Sequence, residues 1–261
     1  MQKKKLKTHF CCLALFAVLT GCATTGKDDR DPLEAWNRGV QTFNDRLDQY
    51  AIKPVAQGYN WIMPNFADQA VSNFFSNIND IGVTINDLLQ FKISQTGLDG
   101  SRFIVNTVAG VGGLVDVAAM IDLPKHKEDF DQTLAVWGVP SGPYIVLPLL
   151  GPSSTRGIGG LVGDAAMNPI TYTGFGVCPG ISSGSVGTAI SGGLFALKII
   201  DFRSDNLSTG KIADEAATDR YEFYKNAYFQ QRKHLINDGH SSEGDEALDV
   251  DKELDGILKP Y

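Results

Sequence analysis

The sequence predicts an all-α fold, on three observations. Apolar residues recur at helical spacing between residues 33 and 50 and again between 71 and 89. No strand series and no internal repeat is present. The most apolar connecting stretch, residues 137–156 (WGVPSGPYIVLPLLGPSSTR), is punctuated by Pro140, Pro143, Pro148 and Pro152, each of which removes a backbone donor and disfavours a helical predecessor. Residues 144–150 must therefore run as extended chain or turns, an apolar loop that packs beneath helices or presses against something apolar outside the protein. With 261 residues, 43% hydrophobic and 20% charged, the chain can bury one sizeable core, and a single domain with tails is expected.

The first 21 residues read as a processing segment: Lys3, Lys4, Lys5 and Lys7 precede a ten-residue apolar run, residues 10–19, too short to span a bilayer. Leu19-Thr20-Gly21-Cys22 then looks like a bacterial lipobox, in which Cys22 would carry S-diacylglycerol and an N-palmitoyl-type acyl chain. At about 0.8 kcal/mol per buried methylene, three chains make a permanent anchor. Ala23 after the cysteine, where an Asp would mark inner-membrane retention, points to the periplasmic side of the outer membrane. Residues 23–30 are a polar tether reaching at most about 29 Å.

Removing residues 1–21 takes away four lysines and no acids, leaving 19 Lys+Arg against 30 Asp+Glu and a formal charge of −11. That balance argues against a nucleic-acid partner. Cys11 and Cys12 leave with the signal and Cys22 is acylated, so Cys178 stands alone and no intrachain disulfide is available.

In the body, Asp31-Pro32-Leu33-Glu34 reads as a helix start with Asp31 as N-cap and Pro32 at the first helical position. Leu33, Trp36, Val40, Phe43, Leu47 and Tyr50 form one apolar stripe; Pro54 bends or ends that helix, and residues 55–63 supply a short helix before Pro64. The next helix puts Val71, Phe74, Phe75, Ile78, Ile81, Ile85, Leu88 and Leu89 on one face and Asn73, Asn77, Asn79, Asp80, Asn86 and Asp87 on the other. Its polar face has no Lys or Arg, so it should pack inward or face a polar space rather than lie on an anionic membrane.

Residues 103–121 carry Asp116 as their sole charge, and Asn106, Asp116 and the glycines rule against a transmembrane span; a buried or partly lipid-facing helix broken near Gly112-Gly113 is expected. Residues 122–131 read as a charged surface loop. Residues 157–200, rich in Gly, Ala and Ser, suit close helix packing. Residues 211–235 form a last amphipathic helix, ending the helical domain of residues 31–239. The tail, residues 240–261, has seven acids against two lysines and reads as a mobile acidic extension.

Catalytic chemistry is thin. Gly180-Ile181-Ser182-Ser183-Gly184 matches G-x-S-x-G, and Asp201 or Asp205 with His234 or His240 would complete a Ser, Asp, His order, so a periplasmic serine lipase or phospholipase using Ser182 is the rival reading. The elbow needs a buried strand before the serine, and residues 173–180 offer glycines and a proline instead. His126 with scattered carboxylates is far from zinc-ligand spacing. No metal, cofactor or catalytic residue is expected.

Asp31-Pro32-Leu33-Glu34 with Trp36-Asn37-Arg38, Lys53-Pro54-Val55-Ala56, Ser72-Asn73-Phe74, Asn86-Asp87-Leu88-Leu89-Gln90, Trp137-Gly138-Val139, Gly142-Pro143-Tyr144, Leu147-Pro148, Gly151-Pro152-Ser153 and Ala227-Tyr228-Phe229-Gln230 together resemble the MlaA (VacJ) lipoprotein family, from about residue 31 to 235. The resemblance implies a ring-like helical body seated in the inner leaflet of the outer membrane beside a trimeric porin. It would remove mislocalised phospholipid from the outer leaflet and pass it to a periplasmic lipid carrier of the MlaC type. Phe74, Ile78, Tyr144, Leu147, Leu149 and Leu150 are the candidates for lipid contact.

Overall fold

The computed structural model describes residues 28–175, 185–208 and 217–238. Among them the fold is predominantly helical, with one two-stranded antiparallel sheet. Cys22, Cys178, Ser182 and the acidic tail lie outside the described residues.

Helix α1, Glu34–Leu47, starts two residues later than its capping signature predicts. Leu33 occupies the cap position without a side-chain bond, because Asp31 is turned into the protein and buried. There it accepts from Asn37 Nδ2 at 2.9 Å and from the Tyr221 hydroxyl, with Lys225 Nζ at 3.5 Å. A π-helical turn, Asp48–Ile52, carries the helical backbone into α2, Lys53–Ile62, whose first turn contains Pro54. Met63 is already extended before Pro64, as the restriction on residues preceding proline requires. Helix α3, Asn65–Leu89, turns at Phe91 into α4, Ile93–Val108, and these two make the most extensive helix pair.

The chain then breaks where expected, near Gly112-Gly113. Val111, Gly112 and Gly113 all take left-handed backbone before the short α5, Val117–Met120. Gly110 is required here: a Cβ would lie 2.1 Å from the Val115 carbonyl oxygen. The charged segment that follows is a strap across α3 and α4, not a free surface loop. Lys125 pairs with Asp80, and Lys92 Nζ meets Glu128 at 2.8 Å. The strap leads into α6, Phe130–Val136, capped by Asp129; buried Asp131 pairs with Arg156 at 2.7 Å.

The proline-rich stretch forms a hairpin, β1 Tyr144–Leu147 and β2 Gly151–Ser154, paired from Tyr144 with Ser154 to Leu147 with Gly151. Helix α7, Thr155–Met167, begins on a Ser154 cap, and a 3-10 turn, Pro169–Phe175, precedes α8, Ser185–Asp205. The last described helix is α9, Arg220–Ile236, capped by Asp219; it buries both Tyr221 and Lys225, so its two faces are not cleanly apolar and polar.

Burial is inverted relative to a water-soluble bundle. The residues α3 buries are Phe75, Asn77, Asp80, Val83, Asn86 and Asp87, so its polar face points inward while Leu88 is exposed. Helix α1 buries Asn37, Val40 and Gln41, and Trp36, Phe43 and Tyr50 of its apolar stripe face out. Trp61 is 87% exposed, and Phe66, Phe91, Val108 and Phe202 are also exposed. The small apolar core of Val40, Tyr144, Val146 and Tyr221 sits where the hairpin meets α1 and α9. Among the described residues no helix is long and apolar enough to cross a membrane.

Candidate functional site: a half-polar cleft and an apolar hairpin tip

Two features stand out against the inverted core. The first is the hairpin. Among the described residues no third strand lies on the outer edge of β1, and two side chains of α1 replace one. Asn37 donates to Tyr144 O at 3.1 Å and accepts from Val146 N at 2.8 Å; Asn44 donates to Leu147 O at 2.9 Å and accepts from Leu149 N at 2.8 Å. Tyr144 N is taken by Arg30 O at 2.8 Å. The ring of Tyr144 is fully buried against Tyr221, Tyr228 and Phe229. The base of the hairpin is thus bolted into the protein, while its tip, Leu149 and Leu150, stands 61% and 55% exposed.

The expected set of lipid contacts is therefore divided. Tyr144 is a core residue with no surface to offer lipid, which corrects that expectation: alternation along β1 turns it inward with Val146. Leu149 and Leu150 are exposed at the tip, Leu147 is half-buried beside it, and Phe74 and Ile78 are half-buried on α3.

The second feature is a cleft of about 680 Å³ between the first turns of α3 and residues 114–120. None of the six expected contacts is among its lining, which consists of Phe66, Gln69, Ala70 and Asn73 from α3 and Leu114, Val115, Asp116, Ala119 and Met120 opposite. Its volume falls within the range of small-molecule pockets. Polar bolts hold the second wall in place. Asn73 Nδ2 donates to Leu114 O at 3.1 Å, and Asn77 donates to Thr107 at 3.0 Å. Gly113 lies so close that a Cβ would fall 2.5 Å from the Asn77 amide nitrogen.

Behind this wall Arg102, almost fully buried, donates through Nη2 to both oxygens of Asp116 at 2.9 and 2.8 Å. Asn106 Nδ2 adds a third bond to Asp116 at 2.8 Å, while Asn106 Oδ1 accepts from Ala118 N; Ala119 N caps the same carboxylate at 3.1 Å. Burial alone would raise the Asp116 carboxyl, but the hydrogen bonds from Asn106 and Ala119 and the Arg102 charge outweigh it and hold the group below the usual carboxylate range. The wall is rigid, with an ionised carboxylate at its floor and apolar side chains at its rim.

Sequence reasoning singled out Asp116 as the lone charge in an apolar run but did not place it in a cleft, and it missed Gln69, Met120 and Asn44. The Ser182 motif lies outside the described residues. Asp201 accepts from Tyr59 at 3.2 Å and Ser72 at 3.0 Å, joining α8 to α2 and α3. His126, on the strap, contacts Asp99 of α4, and among the described residues no group of three or more His, Cys, Asp or Glu is arranged to hold a metal ion.

Comparisons with known proteins agree on one family. The MlaA lipoprotein family model matches residues 29–235. An uncharacterised protein of Rickettsia conorii is 38% identical over 143 residues, 54% of this chain; the match spans 57% of that protein, little more than half its length. The intermembrane phospholipid transport system lipoprotein MlaA of Escherichia coli K12 is 31% identical over 242 residues, covering 90% of this chain and 91% of that one. A chain solved in work on the structural basis for maintenance of bacterial outer membrane lipid asymmetry superposes with a TM-score of 0.67 at 30% identity, covering 79% of this chain and 98% of that chain.

Proposed function

Since the chain belongs to the MlaA lipoprotein family, we propose that it removes mislocalised phospholipid from the outer leaflet of the outer membrane and hands it on for transport inward, maintaining lipid asymmetry. In this reading Cys22 carries the lipid anchor on the periplasmic side. The body is ring-like and seated in the inner leaflet, a trimeric porin lies beside it, and a periplasmic carrier of the MlaC type receives the lipid.

The observation that carries the reading is the inverted burial. Exposed Trp36, Phe43, Trp61, Phe66, Phe91 and the hairpin tip would each be costly in water, but they match hydrocarbon. Polar side chains of α3 that would be costly in hydrocarbon, such as Asn77 and Asn86, are instead turned inward and hydrogen-bonded. Moving a phospholipid across such a body needs no covalent step. It needs a polar path for the head group beside an apolar one for the chains, since a head group dragged through hydrocarbon pays several kcal/mol or more. The cleft between α3 and residues 114–120 offers both kinds of lining within one cavity.

The test is to follow outer-leaflet phospholipid in cells lacking the protein. Accumulation that is reversed by the intact chain is the expected result; an unchanged outer leaflet overturns the proposal.

A further inference from the structure

We propose that the cleft between α3 and residues 114–120 selects its lipid by head group, taking zwitterionic phospholipids with a primary ammonium in preference to anionic ones. This rests on the function proposed above and specifies its substrate. Among the described residues the lining contains one charged residue, Asp116, and no Lys or Arg. The Arg102–Asp116 ion pair crosses the wall with a fixed polarity: Arg102 is almost wholly buried behind, while the Asp116 side chain is 31% exposed. The cleft therefore meets the negative end of a dipole whose positive end is sealed in the protein.

Hydrogen bonding has the same sign. Asp116 Oδ1 is saturated by Arg102, Asn106 and Ala119, whereas Oδ2 receives Arg102 alone and has acceptor capacity left. Asn73 commits its nitrogen to Leu114 O, so the group it can offer a ligand is its amide oxygen. Gln69, exposed at the same wall, can present an oxygen too. An ammonium brings three donors and a positive charge to these acceptors. A glycerol-type head group brings hydroxyls and leaves its phosphate charge unanswered in a cavity without an accessible cation. The apolar rim, Phe66, Leu114, Val115 and Met120, is common to both and supplies affinity without discrimination.

The experiment uses the full lipidated chain in bilayers of equimolar phosphatidylethanolamine and phosphatidylglycerol with matched acyl chains. A photo-crosslinking residue is placed at Met120, on the cleft rim, or at Leu149, on the exposed hairpin tip, and the captured head groups are counted by mass spectrometry. Leu149 samples the surrounding leaflet and sets the baseline. Capture at Met120 should be enriched in phosphatidylethanolamine by about threefold or more over that baseline, a modest factor because a paired carboxylate exerts less than a full charge. Gln69→Lys, at an exposed position that leaves the Asp116 network intact, should bring the ratio to the baseline or below it.

Equal composition at the two positions, or an enrichment that Gln69→Lys leaves unchanged, overturns the selectivity while leaving lipid transport standing. Capture at Leu149 with none at Met120 overturns the cleft as the lipid seat. Capture at neither position would instead count against the membrane-seated reading itself.

Discussion

Asn37 and Asn44, seven residues apart on α1, dock in succession along the outer edge of β1, each giving one hydrogen bond and taking one. The spacing is a geometric match. Seven residues of α-helix rise about 10.5 Å, and three residues of strand, the offset between the two docking points, advance about 10 Å. Two turns of helix therefore act as a substitute strand, which satisfies an edge that would otherwise be open. Asn37 extends the network by donating to buried Asp31, which ties the hairpin to Tyr221 and Lys225 of α9.

Asn37→Ala should accordingly be far more damaging than Asn44→Ala. Asn37 is fully buried, and its loss strands Tyr144 O, Val146 N and one Asp31 oxygen, each costing about 1–3 kcal/mol when buried without a partner. A loss of about 3 kcal/mol or more is expected for Asn37→Ala, against about 1 kcal/mol for Asn44→Ala, whose partners lie nearer the surface. Thermal melts in detergent, with amide exchange at Val146 and Leu149, distinguish the two. Equal losses would mean that the hairpin is held by its apolar core alone.

Asp87 predicts a pH dependence of stability. It is fully buried on α3, and burial first, then its hydrogen bond to Asp99 and the charges of Asp99 and Glu128, pushes its carboxyl up to about 8 against the opposing Lys92. The unfolded chain releases this proton near pH 4, whereas the folded protein keeps it to about pH 8. Between those values the folded state binds more protons, so stability falls as pH rises and levels off above about 8. Asp87→Asn, which keeps the size and can still donate to Asp99, should melt higher than the parent at about pH 8.5 and close to it near pH 4. A difference in Tm that stays constant across that range would remove Asp87 as the titrating group.

Cys22→Ala should give a folded, unlipidated body that fails to restore the outer leaflet in cells lacking the parent. The motive is the lipobox-like Leu19-Thr20-Gly21-Cys22 and a tether of only eight residues before the helical body. Mass spectrometry of the mature N-terminus reads the modification directly. A mature protein beginning elsewhere, or full complementation by the unlipidated form, would refute it.

The period of each helix was legible in the sequence, but not which face turns inward. Helix α3 shows a 3.6-residue stripe whichever side is wet, and the rule that apolar faces go inside holds for a body surrounded by water. The Asn-rich, Lys-free face of residues 73–87 hinted at the inversion, since a polar face without cations suits an interior of hydrogen bonds. Pro140, Pro143, Pro148 and Pro152 correctly excluded helix but did not reveal a hairpin. Pro152 is tolerated on β2 because its partner Val146 gives its N–H to Asn37, so that pair needs no donor from the proline. The cleft was out of reach, as it depends on residues some 45 positions apart brought together by Gly113 packing on Asn77.

The hairpin tip gives the last prediction, Leu149→Asp. Leu149 is exposed and has a left-handed backbone, φ 69°, a conformation that Asp adopts more readily than Leu. The substitution should therefore change stability by less than about 1 kcal/mol, within the range of surface replacements, and the extracted protein should keep its helical spectrum and its Tm. Tyr144→Ala, at the base of the same hairpin and fully buried, should cost about 3–5 kcal/mol as a core truncation. If the tip works by entering lipid, Leu149→Asp will lower phospholipid transport without the stability loss of Tyr144→Ala, because a carboxylate cannot be buried among acyl chains at acceptable cost. Transport that survives Leu149→Asp would remove the tip from the mechanism. A steep fall in Tm would show instead that Leu149 packs within the protein.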